Sequence, residues 1–260
     1  MSSGSLVCVG TGIMLGAHIN PISRSYIEEA NIVFSLMTNH LTEQWVSQMN
    51  ANTINLQPFY QQGKDRQQTY NQMINAMMTE VRAGKRVVGA FYGHPGVFAW
   101  VPHAAIKQAR SEGFIAHMEP GISAEDCLIA DLGIDPGKYG CQQFETSQFM
   151  FFQRVIDTAG YLILWQPAVA GDQSLTKQAT GIQYRHILLE LLLKHYPANH
   201  HAIIYEAATI ATAPPRIEYI ELSSLPDAVL TQESTLVIPP ALDMKPNNAV
   251  LSQLNALNNQ

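Results

Sequence analysis

Cysteine is scarce in this sequence, and the three copies lie far apart. Cys8, Cys127 and Cys141 form no C-x-x-C pair, so we expect neither a disulfide framework nor a cysteine zinc site. The nine histidines form no H-x-x-x-H or H-E-x-x-H pattern, and no metal site is predicted. Free cysteines suit a reducing compartment, and we therefore expect a cytoplasmic protein.

Basic residues and long apolar runs are also few. Lys and Arg number 15 against 21 Asp and Glu, which gives a formal net charge of −6. A chain with this balance lacks the overall basic character of a nucleic-acid-binding protein. No run approaches the roughly 18 apolar residues of a membrane span, and no signal peptide is recognised. We expect no nucleic-acid partner and no membrane partner.

Three nucleotide and hydrolase motifs are missing. The sequence has no Walker A pattern and no G-x-S-x-G elbow, which disfavours a P-loop enzyme and an α/β-hydrolase. A glycine-rich turn, residues 10–16, follows the first predicted strand, but its spacing is not G-x-G-x-x-G. No acidic residue closes the second strand to hold a ribose, so a nicotinamide-dependent oxidoreductase is disfavoured. The turn is better explained as one that lets a ligand approach the backbone.

Strands and helices alternate in the first half of the 260-residue chain. Predicted strands cover residues 6–9, 32–36, 87–92 and 115–118, and predicted helices 41–49, 65–83 and 104–111. The second half has short strands at 161–165, 202–205, 217–220 and 235–238 around a helix at 182–195. The order predicts an α/β fold of two domains, with a mostly parallel first sheet and a mixed second one. We place the domains at 1–119 and 120–240, with an extended polar tail at 241–260.

The segment Phe91-Tyr92-Gly93-His94-Pro95-Gly96-Val97-Phe98 is the most informative motif. Gly-His-Pro-Gly is typical of a sharp turn, and it follows a short apolar run that is typical of a buried strand. Tyr92 and His94 should therefore lie at the carboxyl end of a strand, the edge where open α/β sheets bind ligands. The bland alternative is an ordinary strand-to-helix turn.

Arg66 stands four residues before Tyr70, so both share one face of the predicted helix 65–83. One interpretation is an arginine whose charged end reaches water. The other is an arginine held against a tyrosine to stabilise its anion. Tyr60 lies upstream and Tyr92 on the strand edge, so three tyrosines and one arginine can meet in one cleft.

These residues also carry a resemblance. The chain resembles the tetrapyrrole (corrin/porphyrin) methylase superfamily and, within it, the borosin peptide α-N-methyltransferases. The matching segments are Gly10-Thr11-Gly12, Tyr60 with Arg66 and Tyr70, residues 88–98, 120–127 and 134–136, Gln166, residues 205–208, and Ser234-Thr235. The resemblance covers roughly residues 5 to 240.

The resemblance implies a cleft between two α/β domains that holds S-adenosylmethionine, with S-adenosylhomocysteine as the product. It implies a homodimer that N-methylates backbone amides of a peptide iteratively, with Tyr60, Arg66, Tyr70 and Tyr92 as the catalytic residues. The implied cofactor-binding residues are Tyr92, His94, Val97, Ser123, Ala124, Gln166, Ala207, Ser234 and Thr235. Tyr70 is the candidate base, directly or through water, and Tyr92 the candidate donor to the amide oxygen, although the sequence does not decide which tyrosine is the base.

Two departures qualify the resemblance. The superfamily's Gly-x-Gly-Pro-Gly turn lacks its proline here, which weakens a porphyrinoid interpretation. Fungal relatives carry a fused apolar core peptide, whereas the residues after Pro240 are polar and rich in Asn. We therefore expect a separate precursor peptide as substrate, held in a heteromeric complex. A methylase of a small macrocycle or other acceptor, and a silent module that binds cofactor and peptide, stay open as alternatives.

Overall fold

The first sheet is parallel throughout and lies in the amino-terminal half. The computed structural model describes residues 4–61, 63–174, 176–177 and 179–258. Its first five strands pair in the order β3-β2-β4-β1-β5, every pair parallel. They are β1 Ser5–Gly10, β2 Ile32–Leu36, β3 Thr53–Asn55, β4 Arg86–Phe91 and β5 Ile115–Glu119. The βαβ alternation of the sequence thus forms the sheet that it predicts.

The second sheet is mixed and lies in the carboxyl-terminal half. Its strands pair in the order β6-β7-β10-β8-β9. β6 and β7 are parallel, and the remaining pairs are antiparallel. The strands are β6 Cys141–Glu145, β7 Tyr161–Trp165, β8 His201–Glu206, β9 Arg216–Glu221 and β10 Thr235–Ile238. The α/β fold with one parallel and one mixed sheet is therefore confirmed.

The helices begin where side chains cap them. Asn20, Asn39 and Asp65 each accept a hydrogen bond from a backbone N–H of the first turn of α1, α2 and α3, which satisfies donors that a helix start leaves unpaired. The helices are α1 Pro21–Glu29, α2 His40–Met49, α3 Arg66–Arg82, α4 Trp100–Ser111, α5 Ala124–Leu132, α6 Pro136–Tyr139, α7 Thr146–Phe151, α8 Ile182–Leu192 and α9 Asn248–Asn258.

The apolar stripe of α3 packs on the first sheet. Met73, Met77 and Val81 are fully buried against Leu6 and Phe91. A separate core joins α8 to the second sheet through residues that include Leu188, Leu192, Leu162 and Leu236. Each half therefore has its own core, and the boundary predicted between residues 119 and 120 falls in the connection from β5 to α5.

Several sequence predictions need correction. Helix α4 begins at Trp100 rather than residue 104, because Pro102 lies in the first turn, where no backbone donor is needed. Helix α8 ends at Leu192 rather than residue 195. The tail expected to be extended contains α9, since Val250, Leu251, Leu254 and Leu257 recur at helical spacing among the asparagines. Strands β3 and β6 and helices α1, α5, α6 and α7 were not predicted.

Two features are absent from the described residues. None of the helices in that part of the chain combines the length and hydrophobicity of a membrane span. No cluster of three or more His, Cys, Asp or Glu side chains within it is arranged to hold a metal ion.

Candidate functional site

The carboxyl ends of β1 and β4 lie side by side and are joined beyond the strands. Gly12 pairs with Gly93 in an antiparallel bridge, with the N–H of Gly93 donating to the carbonyl of Gly12 over 2.9 Å. A Cβ at Gly10 would lie 2.4 Å from the Gly93 oxygen and 2.8 Å from the Cα of Gly121. The absence of a Cβ at Gly10 therefore allows neighbouring backbone to approach. The sequence predicted instead that this turn admits a ligand, and only Gly12 of the two glycines lines a cavity.

The turn after β4 is held by its own histidine. The backbone N–H of Gly96 donates to Nδ1 of His94 over 2.9 Å, and Nε2 of His103 lies 2.9 Å from the Gly96 oxygen. Since Nδ1 of His94 accepts this bond, Nε2 is the nitrogen left to meet a ligand. The predicted Gly-His-Pro-Gly turn is confirmed, and it leaves Tyr92 at the sheet edge, with a side chain that is 45% exposed.

Two cavities open between the halves of the molecule. The larger has a volume of about 760 Å³ and the smaller about 280 Å³, close to the lower end of the roughly 300–1,000 Å³ range of small-molecule sites. They share one wall, so groups bound in the two cavities would meet there. The shared residues are Gln57, Tyr92, His94, Val97, Phe98, Gln166 and Gln232.

The shared wall contains unusual backbone. Phe98 and Gln166 have φ angles of 50° and 57°, and they are the non-glycine residues with positive φ in the described part of the chain. Such conformations cost energy and persist where the surroundings impose them, often at functional sites. The Phe98 ring packs 5.5 Å from that of Trp165, across the two halves. Phe98 is 52% exposed and forms part of the cleft wall, whereas Phe91 is a buried core residue that borders the larger cavity.

The structure brings the four predicted catalytic residues together. Tyr60, Arg66, Tyr70 and Tyr92 all line the larger cavity. The rings of Tyr60 and Tyr70 meet edge to face at 6.3 Å, and Tyr70 stacks on Trp100 at 5.9 Å. Nη2 of Arg66 donates to the carbonyl oxygen of Lys177 over 2.8 Å. Arg66 therefore lies in the cleft with the tyrosines, and its described hydrogen bond goes to a carbonyl. The interpretation that it stabilises a tyrosine anion, and its catalytic role, stay predictions.

Two of the tyrosines are held in the protonated form. Burial, the nearby Tyr70 and Tyr92, and a hydrogen bond with Tyr70 raise the pKa of Tyr60, and Arg66 opposes this only in part. The pKa of Tyr92 is raised by desolvation from the protein atoms that crowd the cleft around its partly exposed ring, and then by Tyr70 and Glu233. Tyr60 and Tyr92 therefore keep their hydroxyl protons and act as hydrogen-bond donors in the cleft.

All nine predicted cofactor-binding residues line the smaller cavity: Tyr92, His94, Val97, Ser123, Ala124, Gln166, Ala207, Ser234 and Thr235. Two of their hydroxyls already have internal partners. Ser123 caps α5 through Asp126, and Oγ of Ser234 donates to Glu206 over 2.6 Å while it accepts from the N–H of Thr231. Ser234 would thus meet a ligand mainly through its backbone. The binding roles stay predictions.

Glu206 organises the loop that carries Ser234. Its Oε1 accepts hydrogen bonds from Ser234, from Oγ1 of Thr231 at 2.9 Å and from Nη1 of Arg216 at 2.9 Å. Burial acts to raise the pKa of Glu206, but these bonds and the arginine charge leave it lowered. Glu206 is therefore ionised, and its hydrogen bonds hold the loop whose residues Gln232 and Glu233 line the smaller cavity.

Sequence reasoning missed other residues of the cleft. Glu233, which directly precedes the predicted pair Ser234-Thr235, lines the smaller cavity. Trp100 and Lys177 line the larger one. The adjacency of Glu233 to Ser234 was a usable signal. Lys177 carried none, because it meets Arg66 across 111 positions of the chain.

Known proteins share the sequence and the fold of this chain. The family model described as Tetrapyrrole (Corrin/Porphyrin) Methylases matches residues 5–214. The chain belongs to this family. Solved structures agree on the fold: uroporphyrin-III-C-methyltransferase from Thermus thermophilus has a TM-score of 0.66 at 16% identity, over 91% of this chain and 94% of that one. A cobalt precorrin-4 methyltransferase has a TM-score of 0.63 at 14% identity, over 92% and 96%.

Curated relatives of this tetrapyrrole-methylase family member are fungal proteins. It is 39% identical over 259 residues to a methyltransferase/ribosomally synthesized cyclic peptide gymnopeptides precursor of Gymnopus fusipes. It is 36% identical over 259 residues to the corresponding omphalotin A precursor protein of Omphalotus olearius. Both alignments cover 98% of this chain and 62% of the relative. The chain therefore spans less than two thirds of the length of these relatives.

Proposed function

We propose that this protein is a methyltransferase of the borosin type, which transfers methyl groups from S-adenosylmethionine to backbone amide nitrogens of a ribosomal precursor peptide. The single observation that carries the proposal is the pair of cavities that share a wall containing Tyr92. One cavity suits a cofactor and the other a chain segment, with Tyr92 in the wall between them and Tyr60, Arg66 and Tyr70 lining the larger cavity. The similarity to the fungal methyltransferase–precursor proteins supports the peptide as acceptor.

The smaller cavity has the chemistry that this cofactor needs. Its lining includes the carboxylates Glu125 and Glu233, and Lys and Arg are absent from the described lining. Carboxylates favour the sulfonium and ammonium charges of S-adenosylmethionine over short distances. Apolar Ile13 and Met37 and the hydroxyl-bearing Thr11 offer surfaces for a base and a ribose. The residues present therefore fit the cofactor.

The acceptor must be activated, because an amide nitrogen shares its lone pair with the carbonyl. The bound cofactor supplies an electrophilic methyl group. Tyr70 takes the N–H proton, directly or through water, as general base. Tyr60, whose raised pKa keeps its hydroxyl protonated, lies beside Tyr70 and is placed to donate a hydrogen bond to it. Arg66 supplies a positive charge to the same cluster.

Tyr92 serves the other end of the amide. As the proton leaves, negative charge develops on the carbonyl oxygen, and a pre-positioned donor stabilises it. Tyr92 keeps its hydroxyl proton and lines both cavities. With the cofactor bound, the nitrogen would form a bond to its methyl carbon as the carbon–sulfur bond breaks, and S-adenosylhomocysteine would leave. The amide proton would end on deprotonated Tyr70, directly or through a water.

The proposal includes a separate precursor and a homodimer. Within the described residues, the apolar side chains of the tail lie on helix α9 rather than in an extended apolar stretch. We propose that the peptide arrives as a second molecule and forms a heteromeric complex with the homodimeric enzyme, which acts on it iteratively.

Mass spectrometry tests this proposal. The purified 260-residue protein is incubated with S-adenosylmethionine, alone and with peptides whose carboxyl-terminal halves are rich in Val, Ile and Leu. We expect no mass gain on the protein and gains of one or more methyl groups on a peptide, located on backbone nitrogens by fragmentation. Methylation of the protein's own tail would overturn the separate precursor. Side-chain methylation, or methylation of a tetrapyrrole instead, would overturn the amide mechanism, and cofactor binding without turnover would favour a silent binding module.

A further inference from the structure

The charged residues that line the larger cavity, within the described part of the chain, are all basic. Among its described lining residues, the charged side chains are Lys64, Arg66 and Lys177, and Asp and Glu are absent. The whole chain has a net charge of −6. A wall of three cations in an acidic protein creates a local positive potential, which raises the concentration of negatively charged ligands.

The three cations make their hydrogen bonds to neutral groups. Nζ of Lys64 donates to the Phe59 carbonyl at 2.8 Å and to the side-chain amide of Gln72. Nζ of Lys177 donates to the hydroxyl of Tyr184 at 2.7 Å, and Arg66 donates to the carbonyl oxygen of Lys177. Elsewhere, Arg24, Arg82, Lys85 and Arg216 each pair with a carboxylate. The cavity cations thus lack a carboxylate partner within the described residues, as do Arg86, Arg110 and Arg185, which donate to backbone carbonyls elsewhere.

Two carboxylates, Asp65 and Asp172, lie near this wall, and each accepts hydrogen bonds from backbone N–H groups of its own segment. Asp65 caps α3 by accepting from the N–H of Gln68. Asp172 accepts from the backbone N–H groups of Ser174 and Lys177. A hydrogen bond with Tyr184, and in smaller part the charge of Asp172, raise the pKa of Lys177. Asp172 therefore offsets part of one charge and leaves the wall positive.

We propose that the substrate segment bound in the larger cavity is acidic: the precursor has an Asp or Glu close to the methylated residues, and Lys64 and Lys177 recognise it. This rests on the proposed function and names the chemistry of its peptide. Charge complementarity of this kind mainly sets specificity and association rate. Arg66 is assigned to the tyrosine cluster, so recognition falls to the two lysines that line the same cavity, Lys64 and Lys177.

The test compares two peptides that differ in one charge. Both have the same apolar core, and the flanking residue is Glu in one and Gln in the other. For the unmodified enzyme at low salt we expect kcat/KM to be about tenfold higher for the Glu peptide, which corresponds to about 1.4 kcal/mol. The preference should fall as salt rises, because screening weakens exposed charge pairs.

Enzyme variants assign the preference to the wall. In the double variant Lys64→Gln, Lys177→Gln, the Glu and Gln peptides should react at equal rates. Lys107→Gln is the matched control, since Lys107 is exposed on α4 and lines neither cavity. Lys177→Glu should reverse the preference in favour of a peptide with Lys at the flanking position.

The outcomes separate this inference from the function. Equal turnover of both peptides by the unmodified enzyme overturns the acidic-substrate inference and leaves the methyltransferase intact. If neither peptide is methylated, the proposed function fails for these substrates, and fluorescence-detected binding decides the inference. Tighter, salt-sensitive binding of the Glu peptide supports it, and equal binding refutes it.

Discussion

Replacing Tyr92 by Phe tests the centre of the mechanism. The substitution removes one hydroxyl and keeps the ring that forms part of the wall shared by the two cavities. The backbone N–H of Tyr92 donates to the carbonyl of Leu36, and this bond is unaffected. We therefore expect the variant to fold normally and to bind the cofactor with little change.

The size of the rate loss in Tyr92→Phe distinguishes two roles for the hydroxyl. A donor to the developing oxyanion contributes about 2.7–4 kcal/mol, or about 10²–10³ in kcat. A hydrogen bond that serves only ground-state binding contributes about 0.5–1.5 kcal/mol, or about two- to twelvefold in KM. The raised pKa of Tyr92 keeps its proton in place, so we expect the larger effect, on kcat.

The assay is single-turnover methylation with enzyme, peptide and S-adenosylmethionine at saturating concentration, together with calorimetric binding of S-adenosylhomocysteine. Tyr26→Phe is the matched control, because Tyr26 packs against His117 and lines neither cavity. A single-turnover rate within about threefold of the unmodified enzyme, below the oxyanion-donor range, would refute the role of Tyr92 as donor and leave it as a wall residue.

Two other predictions concern the groups around Tyr92. Arg66→Ala should nearly abolish methylation while circular dichroism shows a folded protein, since its described hydrogen bond is to one loop carbonyl; near-normal turnover would remove Arg66 from the mechanism. Glu206→Gln should raise the KM for S-adenosylmethionine by about tenfold, with a smaller effect on kcat, because charge-assisted bonds contribute about 1.5–3 kcal/mol. Glu218→Gln, which also pairs with Arg216, is the control, and an equal KM in both variants would contradict the role of Glu206 in holding the loop.

The parallel sheet and its ligand-binding edge were predictable from local signals. Strands such as residues 32–36 are short apolar runs between turn residues, and α3 shows a clear helical stripe. Because parallel strands end at one edge, the placement of Tyr92 at that edge followed from the order of elements alone. The grouping of the nine residues on the smaller cavity depended on the family resemblance, since no spacing rule connects Ser123 with Thr235.

Other features depended on contacts that local sequence does not encode. Strand β6 contains Cys, Gln and Glu and is only half-buried, so it lacks the apolar pattern of a strand and forms by parallel pairing with β7. Helix α9 was not predicted because its apolar residues are interspersed with asparagines. The contact between Arg66 and Lys177 exists only because both halves of the molecule close on one cleft.

The two cavities on either side of the shared wall are lined by charges of opposite sign. Glu125 and Glu233 face the smaller cavity, and Lys64, Arg66 and Lys177 face the larger one. A cationic methyl donor is therefore favoured on one side and an anionic acceptor on the other, and the charges attract across the wall where Tyr92 lies. If the proposed transfer takes place, the donor would lose its sulfonium charge, and its attraction to Glu125 and Glu233 would weaken. An acidic residue of the peptide would keep its charge and its attraction to Lys64 and Lys177. The arrangement would therefore favour release of the spent donor while the peptide stays bound.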